Sequence, residues 1–262
     1  MAARPAASGS ASYWRLSRAP RYSLLFALPL LGAYEALAAA LSRRGDVEVR
    51  NGAEALLGTL FSLVAGPRGG MVVIAAVVLG CVALAGWDLR RNRGGLRPRV
   101  FLLMLAESAV LAGVCGLLVG TVTARLLHAL SPRLAMLAQA LPAAPPRGGV
   151  EAAFGWPTKL MLSLGAGIFE ELVFRVLLVG AIAFGLRRVL GARPWVAGAV
   201  ASVVGAVVFS LAHYGGPLGD TFTIQSFTFR AIAGLFFSVL YVTRGFGIAA
   251  WTHALYDVMV LL

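Results

Sequence analysis

The sequence predicts an all-α fold, a polytopic transmembrane helical bundle of about seven spans with one further short helix that re-enters the bilayer or lies at its interface. Two observations carry this reading. The chain is 59% hydrophobic and only 13% charged over 262 residues, where a soluble domain holds about 25% charge. Its apolar residues also fall into long blocks separated by arginine-bearing segments, the pattern of membrane helices joined by loops.

Residues 1–21 contain Arg4, Arg15, Arg18 and Arg21 and no acid. They read as a disordered basic arm on the cytoplasmic side. The block 22–42 is long enough to span. Its small residues between Ala36 and Leu41 imitate a signal-peptidase site, but an uncleaved anchor is the preferred reading. Residues 53–66 are apolar yet too few for a span, which needs about 20, so this is the short helix. The blocks 71–87, 100–124, 157–186, 195–213, 224–243 and 246–262 follow as spans. Pro194 and Pro217 mark block ends, and Gly245 and Gly247 open the last block. The region 131–156 gathers Pro132, Pro142, Pro145, Pro146, Gly148 and Gly149 and reads as a loop. Residues 22–150 thus form an N-terminal group of helices without a recognised motif, and 151–262 a second group that holds the intramembrane acid and histidine set.

The net charge of +12 raises the question of nucleic acid. The arginines lie between apolar blocks, as in Arg90, Arg91, Arg93, Arg97 and Arg99, and no basic face interleaved with aromatics occurs. Such charges set orientation and meet anionic headgroups. If 53–66 does not cross, the arm, the loop 88–99, the loop 187–193 and Arg244 share one face, which the positive-inside rule makes cytoplasmic. Cys81 and Cys115 both fall inside apolar blocks and read as small packing residues.

Charged groups inside a bilayer cost about 2.5–3.5 kcal/mol each on insertion scales, so those in the later blocks need a reason. Glu171 and Arg175 stand four residues apart, acid first, the favourable order for a helical ion pair. Glu170 lies about 100° around an α-helix from Glu171 and has no partner at that spacing. A structural polar knot would account for these three groups alone. Two later blocks add Phe209 and His213, then His253 and Asp257, each pair four residues apart. An acid and two histidines on three membrane helices are what activation of a water requires, directly or through a metal. His128, near a block end, has no assigned role. Glu35 and Glu107 stand alone and read as structural contacts.

The ordered set Glu170-Glu171-x-x-x-Arg175, Phe209-x-x-x-His213 and His253-x-x-x-Asp257 resembles the signature of the CPBP intramembrane proteases, which include the CAAX prenyl endopeptidases. The resemblance covers roughly residues 155–262. It implies that Glu170 and His213 activate the attacking water while His253 and Asp257 complete the site, by stabilising the oxyanion or holding a metal. Glu171 and Arg175 would fix the first helix, with Phe209 in support. An ionised Asp257 cannot donate to an oxyanion, so it fits better as an orienter of His253 or a ligand. Zinc held by Glu170, His213 and His253 is the metal alternative; metal-independent activation by the glutamate is preferred. One difficulty is depth: Glu170 lies roughly 20 Å along its helix, whereas His213 lies at a helix end.

The charge-based topology puts His213 and Tyr214-Gly215-Gly216 at the outer face. This suits trimming of an exported protein beside its membrane anchor, as in the bacterial relatives called myxosortases. The expected partners are an anchored protein or peptide substrate and the lipid bilayer, with no nucleic acid. The expected location is a bacterial inner membrane. The alternatives are a non-catalytic membrane interaction or bacteriocin-immunity protein, and a transporter or proton relay; the first half holds no counterpart of the motif set, which counts against transport.

Overall fold

The computed structural model describes residues 12–43, 50–92, 95–140, 154–215 and 219–261, with backbone alone for 132–140. Among these residues every regular element is helical. A short α1 (Tyr13–Arg18) leads into α2 (Pro20–Ser42), then α3 (Gly52–Ala65), α4 (Gly69–Arg91) and the long α5 (Pro98–Ala140). A composite helix follows, made of α6 (Trp156–Gly165), a π-helical stretch (Ala166–Val179) and α7 (Gly180–Val189). The chain ends with α8 (Pro194–Ala212), α9 (Ile224–Arg244) and α10 (Phe246–Leu261). Proline opens α2, α6 and α8, where its missing N–H leaves no intrahelical bond unmade.

The stretches Pro20–Ser42, Gly52–Arg91, Pro98–Ser131, Pro194–Ala212 and Ile224–Arg244 are long and apolar enough to cross a bilayer. Within Gly52–Arg91 the chain reverses at Gly66–Arg68, where Gly66 takes a positive φ of 61°. Helix α3 therefore folds back on α4, and a Cβ on Gly69 would lie 2.5 Å from the Ser62 nitrogen. At 14 residues and about 1.5 Å per residue, α3 is shorter than the roughly 30 Å hydrocarbon core. It is the expected short helix. The composite helix and α10 run beside the long elements and complete the bundle. Large apolar side chains such as Leu79, Leu102, Leu117 and Val239 point outward, as lipid-facing positions do.

Two expectations are corrected. The arm is not disordered throughout: α1 and the start of α2 are helical and docked, with Leu16, Ser17 and Arg21 buried. Residues 1–11 lie outside the described part. The span predicted at 100–124 continues to Ala140, so helix replaces the first ten residues of the predicted loop 131–156, whose positions 141–153 are also outside the described part. Pro217 and Gly216 fall there too.

Tertiary contacts gather three of the basic segments at one end of the bundle. Arg21 Nε lies 3.6 Å from Asp88 and its Nη1 donates to the Asn92 carbonyl. Tyr22 Oη bonds Gly95 and Arg97 in the following loop. Arg18 donates to the Val242 carbonyl. Arg244 grips Glu107 through two nitrogens at 2.5 and 2.7 Å, and Tyr13 bonds the same carboxylate. Glu107 is therefore a structural contact, as the sequence reading expects, with its partner 137 residues away.

Helices meet closely where side chains are small, the usual solution where lipid supplies no hydrophobic drive for association. A Cβ on Gly167 would lie 2.4 Å from the Ala250 carbonyl oxygen and 2.7 Å from Ala254 Cβ. Gly247 likewise sits against the Ser23 backbone, and Trp251 Nε1 donates to the Phe26 carbonyl at 2.6 Å. These contacts seat α10 between α2 and the π-helical stretch.

Candidate active site

The π-helical stretch carries Glu170, Glu171 and Arg175. A π-helix closes i→i+5 bonds, and its short occurrences concentrate at functional sites. Each residue turns less than the ~100° of an α-helix, so the angular separation inferred from α-geometry is replaced by a smaller one. Glu171 and Arg175 still pair, Oε1 to Nη1 at 3.1 Å, with side chains 0% and 1% exposed.

The guanidinium of Arg175 lies over the Phe209 ring at 4.5 Å and the Phe237 ring at 5.5 Å. A planar, weakly hydrated cation between two aromatic faces keeps attraction where water is absent. Phe209 also contacts Phe174, His213 and His253, with centroid separations of 5.1, 4.9 and 6.2 Å. This phenylalanine is thus the apolar hub between the composite helix, α8 and α10.

His253 is held on three sides. Its Nδ1 stands 2.7 Å from Glu171 Oε1, and its ring stacks on Phe237 at 4.4 Å. A carboxylate only accepts, so Nδ1 carries the proton. The opposite nitrogen, Nε2, faces Asp257 Oδ2 at 3.7 Å and Glu170 Oε2 at 3.9 Å. Both gaps exceed direct hydrogen-bond reach.

His213 caps α8, and its Nδ1 is 2.8 Å from the Phe209 carbonyl. The carbonyl can only accept, so Nδ1 donates and Nε2 is the acceptor nitrogen. The depth difficulty resolves in the hairpin formed by α7 and α8. Running antiparallel from their short connection, they bring Val179 beside Gly205 and Phe174 beside Phe209. One further turn reaches Glu170 on one helix and His213 on the other.

Glu170 has partners that sequence spacing did not show. Its Oε1 accepts from Asn51 Nδ2 at 3.1 Å. Asn51 caps α3, its Oδ1 accepting from the Ala53 and Glu54 nitrogens. Tyr34 bonds the Glu54 carboxylate and accepts from the Asn51 nitrogen. Arg50 bridges Glu35 at 3.2 Å and Glu54 at 3.3 Å, so Glu35 is paired, not solitary. A signal for this group exists: Asn51-Gly-Ala-Glu54 has the order of a helix-capping box.

The two adjacent glutamates therefore differ in kind. Glu171 is wholly enclosed and occupied by Arg175 and His253, whereas the Glu170 side chain is 15% exposed and Asp257 22%. Among the described residues no group of three His, Cys, Asp or Glu side chains converges as a metal site. His128 is exposed far along α5, and Cys81 and Cys115 are buried free thiols.

Residues 152–259 match the family model described as type II CAAX prenyl endopeptidase, Rce1-like. The match contains Glu170, Glu171, Arg175, Phe209, His213, His253 and Asp257; Asn51 and Tyr34 lie outside it. No curated protein and no solved structure matches the chain.

Proposed function

We propose, from the match of residues 152–259 to the Rce1-like CAAX protease family model, that the chain hydrolyses a membrane-proximal peptide bond in an anchored or C-terminally tailed protein. The observation that carries the reading is the division between the glutamates: one neutralised and enclosed, its neighbour partly exposed beside a histidine nitrogen.

In this mechanism a water lies against Glu170 Oε2. Glu170 takes one of its protons as the water oxygen adds to the scissile carbonyl. His213 Nε2, a second acceptor, orients the same water. His253 in its doubly protonated form donates Nε2–H to the developing oxyanion, with Glu171 holding Nδ1 and Asp257 steering the ring. When the tetrahedral intermediate collapses, Glu170 returns the proton to the leaving amine. Every proton is accounted for within these side chains and the water.

The finer assignments belong to the same proposal. An outward-facing site at the end of α8 suits an exported substrate with a C-terminal membrane tail, as the resemblance to myxosortases implies, in a bacterial inner membrane. The test is cleavage of a panel of anchored tails by protein reconstituted in liposomes. Loss of cleavage in both Glu170→Ala and His213→Ala supports the mechanism. Cleavage lost in chelator and restored by zinc favours metal-assisted hydrolysis. Cleavage unchanged in both variants turns the reading towards a non-catalytic membrane interaction protein.

A further inference from the structure

We infer that Asn51, outside the matched family region, is a positioning residue that sets the Glu170 carboxylate for catalysis; the inference rests on the proposed peptidase reading. Its amide orientation follows from bonding capacity. Oδ1 accepts from the Ala53 nitrogen at 2.9 Å and the Glu54 nitrogen at 3.4 Å, so the end facing Glu170 Oε1 at 3.1 Å is the NH2 donor. A reversed amide would set oxygen against carboxylate and nitrogen against two N–H groups.

The placement of Asn51 is built from several directions. Its side chain is buried, and its backbone nitrogen donates to Tyr34 Oη. Arg50 ties the segment to Glu35 and to Glu54, and Tyr34 bonds Glu54 as well. Gly165 makes the approach possible: a Cβ there would lie 3.0 Å from Asn51 Cβ and 2.6 Å from the Tyr34 ring. Helix α3 also points its N-terminus, the positive end of its dipole, at Glu170. With Oε1 held by this donor, Oε2 is the oxygen turned to His253 Nε2. The short α3 is thus the element that delivers a catalytic support to mid-bundle.

The experiment separates capping from positioning. Serine and aspartate cap helices about as well as asparagine, but neither offers the amide donor. Asn51→Ser is expected to keep the wild-type melting temperature and KM while kcat falls about ten- to a hundredfold. Asn51→Asp, which sets a second carboxylate against Glu170, is expected to lose more. Asn51→Ala is expected to lose stability as well, because the cap goes with the donor. Wild-type kcat in Asn51→Ser, or a kcat loss in Asn51→Ser matched by a loss of melting temperature, overturns the inference. Glu170→Gln is assayed alongside. If it is inactive while Asn51→Ser is fully active, the positioning role fails and the peptidase reading stands. If Glu170→Gln cleaves like wild type, both fail.

Discussion

Glu171 Oε1 is shared between His253 Nδ1 at 2.7 Å and Arg175 Nη1 at 3.1 Å, with all three side chains at most 5% exposed. One carboxylate therefore neutralises an arginine on its own helix and orients a histidine on α10. Opposite charges this deeply enclosed depend on each other, because the survivor of a broken pair keeps its full desolvation cost.

Glu171→Ala is expected to destabilise the protein by about 3–5 kcal/mol and to abolish cleavage. Glu171→Ala/Arg175→Ala is expected to be less destabilised than the two single changes added together, since no lone charge remains. Denaturation in detergent micelles across this double-mutant cycle measures the difference; simple additivity would mean that the pair is not coupled.

Gly167→Val should disrupt the crossing that seats α10. Its Cβ would fall 2.4 Å from the Ala250 carbonyl oxygen, inside any van der Waals contact, and the nearest atoms are backbone and a Cβ that cannot swing away. Overpacking of this kind costs about 1–3 kcal/mol or more. A lower melting temperature and reduced activity are expected, and a wild-type melting curve would show that the helices are not so close.

Deleting residues 1–18 removes Tyr13 and Ser17 from the buried Glu107–Arg244 pair. A fall in melting temperature is expected, corresponding to about 1–3 kcal/mol. The kcat of the folded fraction should be unchanged, because these contacts sit at the basic end of the bundle. A large loss of kcat at unaltered stability would contradict this division.

Cleavage is expected to persist in a metal chelator, with no stoichiometric zinc in the purified protein by elemental analysis. The geometric basis is that no trio of His, Cys, Asp or Glu is arranged to hold a metal ion among the described residues. Loss in chelator and rescue by zinc would require Glu170 and the histidines to close on a metal.

Spans and motif spacing were legible because both are local properties. Block length gives a membrane helix, and the i, i+4 repeats placed Glu171 on Arg175 and His253 beside Asp257. The docked α1 was not legible: Tyr13 and Arg18 look like part of a solvated basic arm until Glu107 and the Val242 carbonyl are brought to them by folding. Glu35 and Glu107 looked solitary for the same reason, their partners Arg50 and Arg244 being 15 and 137 residues away. Asn51 was hidden by distance too, 119 residues from Glu170, although its capping-box order marked a helix start. The π-helical geometry left no sequence signature, since the apolar periodicity there fits an ordinary helix.

The most direct test of the account is the kcat of Glu170→Gln on a reconstituted membrane-tailed substrate, read beside its melting temperature. Glutamine keeps the size of the side chain and an acceptor for Asn51 but cannot take a proton from water. The account predicts a loss of about 10²–10⁴-fold in kcat, with stability and KM close to wild type. A kcat within a few-fold of wild type would contradict it, because the group assigned to activate water would then be dispensable.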